Sequence, residues 1–109
     1  MNAEHIIAEV KAIPSTLSGE ATDAQVAAIM YITRDAFIKC GYDDNPVVEQ
    51  IWGDERVTEL SKADAARFIG YFGDKDDEGE WGAKRVEEIS VLHRAWQEEK
   101  GQLLLFELE

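Results

Sequence analysis

Helix punctuation divides this chain more decisively than any other feature of its sequence. Thr22 is followed three residues later by Gln25, the spacing of a reciprocal capping box, and Asn45 is followed at once by Pro46, an N-cap before a first helical position. Ser61 and Asp64 repeat the capping signal, while Pro14, Gly41, Gly53, Gly73 and Gly101 stand where apolar periodicity stops. Nothing between these marks reads firmly as a strand; LLLFEL, residues 103–108, alone has the composition of a short one.

The intervals between the marks carry helical spacing. Ile6, Ile7, Val10 and Ile13 gather on one face of a short helix over residues 3–13. Val26, Ile29, Met30, Ile32, Ala36 and Phe37 form the apolar stripe of a central helix over 23–40. Val47, Val48, Ile51 and Trp52 mark a third helix, and Ala65, Ala66, Phe68, Ile69 and Phe72 a fourth. Val86, Ile89, Leu92, Ala95 and Trp96 mark a long final helix that Gly101 is expected to stop. GDKDDEGEWG, between the last two helices, reads as an acidic surface loop. The expectation is an all-α fold, a compact bundle of four or five helices with a short C-terminal tail. Residues 1–100 form the single domain and 101–109 the tail. The expected core includes Ile29, Ile32, Phe37, Ile51, Trp52, Phe68, Ile69, Ile89, Leu92 and Trp96.

Length and charge bound the function. At 109 residues, 45% of them hydrophobic, the chain can bury one core but not two. Twenty-three acidic against eleven basic residues give a net charge of −12, which disfavours direct binding to nucleic-acid phosphates. Cys40 is a single cysteine without a disulfide partner, the first residues carry no export signal, and no stretch reaches the roughly 18 to 20 apolar residues of a membrane span. A cytoplasmic location is expected.

Two helix starts are similar, TDAQVAAIMYI at 22–32 and SKADAARFIGYF at 61–72, both with a capping hydroxyl followed by small and then apolar residues. Generic amphipathic patterning accounts for that likeness without a repeat architecture. Thr22, Gln25, Ala28, Ile29, Arg34 and Gly41, followed by Val57, Thr58, Glu59, Leu60, Ser61, Lys62, Ala65 and Ile69, cover about half the chain. Their order resembles a small helical module of phage and mobile-element DNA-recombination and single-strand-annealing proteins. The resemblance implies a place in phage-type DNA metabolism. The large annealing domain that usually precedes such a module has no counterpart here, so annealing activity is not carried over.

Residues suited to catalysis are sparse. His5 and His93 have no nucleophile motif beside them, and Cys40 lacks a CxxC partner, so no enzyme activity is expected. Asp74, Asp76, Glu78, Gly79 and Glu80 imitate the opening of a calcium-binding loop, but the twelfth position, which needs a bidentate glutamate, is Arg85, and Glu87 and Glu88 fall out of register. No P-loop, dinucleotide fingerprint or zinc-protease motif is present. No metal or other cofactor is expected.

Two features point instead to protein partners. Gln102, Leu103, Leu105 and Phe106 resemble the bacterial sliding-clamp-binding motif, Gln-Leu-(Ser or Asp)-Leu-Phe, from which Leu104 departs. The resemblance implies docking as an extended peptide on the clamp or another DNA-metabolism protein, with the glutamine at a pocket edge and the Leu-Phe pair in an apolar cleft. The competing reading folds these residues onto the core, where each buried side chain contributes about 1.5–3 kcal/mol. The second feature is the acidic surface of Asp74, Asp76, Asp77, Glu78 and Glu80, which suits an inhibitor that imitates DNA in the cationic groove of a host enzyme. Self-association of the helical domain is a third reading.

Overall fold

In a computed structural model the capping signals do what their spacing predicts. Residues 2–37, 45–53 and 56–108 are described, those at 36, 37 and 101–108 by their backbone only. The helices are α1 (Ala3–Lys11), α2 (Asp23–Phe37), α3 (Pro46–Trp52), α4 (Lys62–Phe72) and α5 (Val86–Leu108), with a 3-10 turn at Val57–Glu59. Thr22 and Gln25 cap α2 reciprocally, backbone N–H to side-chain oxygen, at 3.0 and 3.1 Å. Asn45 Oδ1 accepts from the Val47 and Val48 amides at the start of α3, and Ser61 Oγ accepts from the Asp64 amide at the start of α4. The fold is a small, mostly helical bundle, and no helix among the described residues is long and apolar enough to cross a membrane.

The core draws on every helix. Ile6 and Val10 of α1 meet Ile29 and Ile32 of α2, Val47, Val48 and Ile51 of α3, Phe68 and Phe72 of α4, and Ile89 and Leu92 of α5. Phe68 and Phe72 are fully buried, their rings tilted against each other at 49° with centroids 4.7 Å apart, and burial of each side chain contributes about 1.5–3 kcal/mol. Six of the expected core residues, Ile29, Ile32, Ile51, Phe68, Ile89 and Leu92, are buried, whereas Trp52, Ile69 and Trp96 are partly exposed at its margin. The side chain of Phe37, the expected last turn of α2, Cys40 and Gly41 lie outside the described residues. One polar pair is also buried: Asn45 Nδ2 donates to Thr33 Oγ1 at 3.3 Å while that hydroxyl donates to the Ile29 and Met30 carbonyls, tying α3 to the middle of α2.

Two expectations are corrected. The acidic loop is a β-hairpin: β1 (Gly73–Lys75) pairs antiparallel with β2 (Trp81–Ala83), Gly73 opposite Ala83 and Lys75 opposite Trp81. Gly101 does not end the last helix, whose backbone continues to Leu108. A single glycine costs a helix about 1 kcal/mol, which flanking residues with good helix propensity, such as Leu103, Leu104 and Leu105, offset.

Glycine is needed at Gly73 for closeness, not for an unusual dihedral angle, since its φ is −105°. A Cβ there would collide with Ile32 Cδ1 and lie 2.9 Å from the Ile69 carbonyl oxygen. This close approach lets the chain leave α4 and lay β2 along α2. Gly73→Ala is therefore expected to destabilise the fold by about 1–3 kcal/mol, read as a lower urea midpoint with an unchanged slope.

A polar seam joins α1, α4 and the start of α5. Arg67 Nε donates to the Ile13 carbonyl just beyond α1 at 2.7 Å, and Tyr71 Oη donates to Glu9 Oε2 at 2.6 Å. Arg85 lies over the Tyr71 ring and donates from Nε to the Tyr71 carbonyl. Tyr71's bond holds the Glu9 carboxyl below its ordinary pKa, while burial, followed by the bond to Glu9, pushes the Tyr71 phenol up to about 12. The folded state thus favours the protonated phenol, so its contribution is present below the unfolded value of 10 and disappears as pH rises towards 12. Urea midpoints should fall over that interval, and Tyr71→Phe should flatten this part of the profile; equal slopes for the two proteins would contradict the assignment.

Candidate interaction surfaces

The hairpin turn is organised by one of its own acids. Asp76 Oδ1 accepts from the backbone amides of Glu78 and Glu80, both at 2.9 Å, its amide donates to the Glu80 carbonyl, and its carbonyl accepts from the Gly79 amide. Gly79 has φ +83°, the left-handed position that closes such a turn and that side chains rarely adopt. Asp74, Asp76, Asp77, Glu78 and Glu80 are all exposed, so the structure brings the five predicted acids onto one short hairpin. Asp76 nevertheless differs from the others, because one of its carboxylate oxygens is already engaged by backbone amides.

The likeness to a calcium loop separates in the same way. Asp76 faces amide hydrogens, and Arg85, at the position of the closing ligand, is engaged with Tyr71. Among the described residues, no three His, Cys, Asp or Glu side chains converge as a metal site would require.

Between the hairpin and α2 runs a surface that was not expected from the sequence. Ala24, Ala27, Ala28 and Tyr31 of α2 line a depression of about 400 Å³, closed by Lys75, Gly79, Glu80 and Trp81. A second depression of about 350 Å³ shares Lys75, Glu80 and Trp81 and extends to Asp35, Asp74 and Asp76. Asp35 Oδ2 accepts from the Ala83 amide at 3.3 Å, which fastens β2 to α2 at that end. The signal was the spacing 24, 27, 28, 31 and 35, a helical stripe of small residues, an aromatic and an acid on the side of α2 away from Ile29 and Ile32.

The motif of Gln102, Leu103, Leu105 and Phe106 falls within the last turns of α5. The last described side-chain ties between α5 and α3 precede it: Gln50 Nε2 donates to Glu99 Oε1 and Lys100 Nζ pairs with Glu49 Oε1, each at 3.2 Å. Gly101 lies between these ties and the motif. As helix, five residues rise roughly 7.5 Å, whereas the extended form spans about 17 Å. Docking in the extended mode therefore requires these turns to unwind.

The histidines are separated in the fold. His5 forms an exposed pair with Glu9 at 3.0 Å. His93 stacks against Trp96 with centroids 6.3 Å apart, and burial lowers its pKa, favouring the neutral ring. No known protein family matches the chain, and neither a curated protein nor a solved structure shows significant similarity to it.

Proposed function

We propose that this chain is a non-catalytic adaptor of phage or mobile-element DNA replication or recombination, acting in the cytoplasm and docking on a protein partner through Gln102, Leu103, Leu105 and Phe106. The observation that carries this reading is the position of those residues in α5, beyond the ties from Gln50 and Glu49 and separated from them by a helix-weakening glycine. That arrangement lets a few residues unwind without disturbing Ile89 and Leu92 in the core. The partner of matching chemistry is the bacterial sliding clamp, whose motif these side chains resemble. Net charge of −12 supports a protein partner over direct contact with DNA.

Binding of the intact protein, Phe106→Ala and a peptide of residues 98–109 to purified clamp tests the reading. The peptide should bind, and Phe106→Ala should lose about 2 kcal/mol or more of affinity without loss of helical circular dichroism. A peptide that does not bind, or a variant that unfolds, returns these residues to the core.

The exposed acids of the hairpin favour a second reading, an inhibitor that occupies the cationic nucleic-acid groove of a host nuclease. Lysine substitution at Asp74, Asp77, Glu78 and Glu80 should then abolish inhibition in a salt-dependent manner, while removal of 101–109 should leave it intact. Asp76 is kept in this experiment because its carboxylate holds the turn.

A further inference from the structure

The surface between α2 and the hairpin joins three of the hairpin acids, Asp74, Asp76 and Glu80, to an aromatic and alanine lining that neither reading uses. It is lined on α2 by Ala24, Ala27 and the almost fully buried Ala28, with Tyr31 and Trp81 beside them. Tyr31 is 56% exposed, so its ring is accessible from solvent. Among the described residues, four carboxylates, Asp35, Asp74, Asp76 and Glu80, line the two adjoining depressions against one cation, Lys75. That cation is already placed on an aromatic wall, its Nζ 5.2 Å from the Trp81 ring centroid.

We infer that this groove is a docking site for a lysine- or arginine-bearing segment of a protein partner. The argument is charge complementarity joined to shape. An aliphatic stem of three or four methylene groups can lie across the alanines, and its charged head can then reach an aromatic face and a carboxylate together. Lys75 shows part of that chemistry within the chain, its ammonium lying over Trp81, while the Tyr31 ring is exposed to an incoming residue. An acidic or neutral segment would meet the carboxylates without compensation. The groove is also stiff, because Asp35 binds the Ala83 amide and Asp76 holds the turn at the other end. The tail motif plays no part, so this inference stands or falls independently of clamp docking.

Titration of the isotopically labelled full chain with the synthetic peptide acetyl-(Arg-Ala-Leu)4-amide, followed by amide chemical shifts, tests it. Perturbations should centre on Ala24, Ala27, Ala28, Tyr31, Gly79 and Trp81. The same peptide with glutamate in place of arginine should give none. Tyr31→Ala should weaken binding by about two- to fivefold and Tyr31→Phe should retain it, because the ring supplies the contact while net charge is unchanged in both variants. Generic attraction to an acidic protein would not distinguish these two variants. Shifts scattered over the acidic surface, equal affinity for wild type and Tyr31→Ala, or no binding would each overturn the proposal.

Discussion

The arrangement of the whole molecule depends on a short antiparallel pairing between the two chain segments that lead into α2 and α4. The Ala21 amide donates to the Leu60 carbonyl at 3.0 Å, and the Lys62 amide donates to the Gly19 carbonyl at 2.9 Å. Gln25, already part of the first capping box, donates from Nε2 to the Lys62 carbonyl at 3.2 Å. The two helix starts are thereby held in register, with their apolar faces meeting beyond the pairing. Once α2 and α4 are fixed at this end, Ile29 and Ile32 face Phe68 and Phe72, and the far end of α4 arrives beside Ile32. Gly73 can then turn the chain onto α2, so the position of the hairpin follows from a backbone pairing at the other end of the helices.

That pairing gives the likeness between residues 22–32 and 61–72 a physical role. Capping hydroxyls and small early residues were legible as generic helix starts, and the structure uses them so. What the sequence could not display was that Glu20 and Ser61 form a bridge, because a two-residue pairing has no periodicity to read. Helix starts and most of the core were legible because caps and apolar spacing are local signals. Trp52, Ile69 and Trp96 were misplaced for a different reason: they lie at the border of their stripes, where spacing alone does not separate a buried from a half-covered side chain.

The hairpin shows the same division. Its strands have three residues each, below the length at which alternation is informative, and its acid-rich composition imitates a solvated loop. The local clue was Asp76 followed three residues later by Gly79, a turn-forming acid and a residue free to adopt positive φ. The groove was hidden more completely. Tyr31 belongs to α2 and Trp81 to β2, and only the packing of that strand on the helix makes their rings walls of one surface.

The motif at 102–106 sets two local preferences against each other. Leucine-rich sequence favours continuation of α5, and the backbone follows that preference through Leu108. Gly101 opposes it at the first residue beyond the ion pair of Lys100 with Glu49. A helix that ended after that ion pair would still carry Ile89 and Leu92 in the core and the ties of Glu99 and Lys100 to α3. Each backbone hydrogen bond given up beyond it contributes about 0.5–1.5 kcal/mol net. The proposed docking therefore sets the helix propensity of three leucines against Gly101, which weakens the helix where the segment begins.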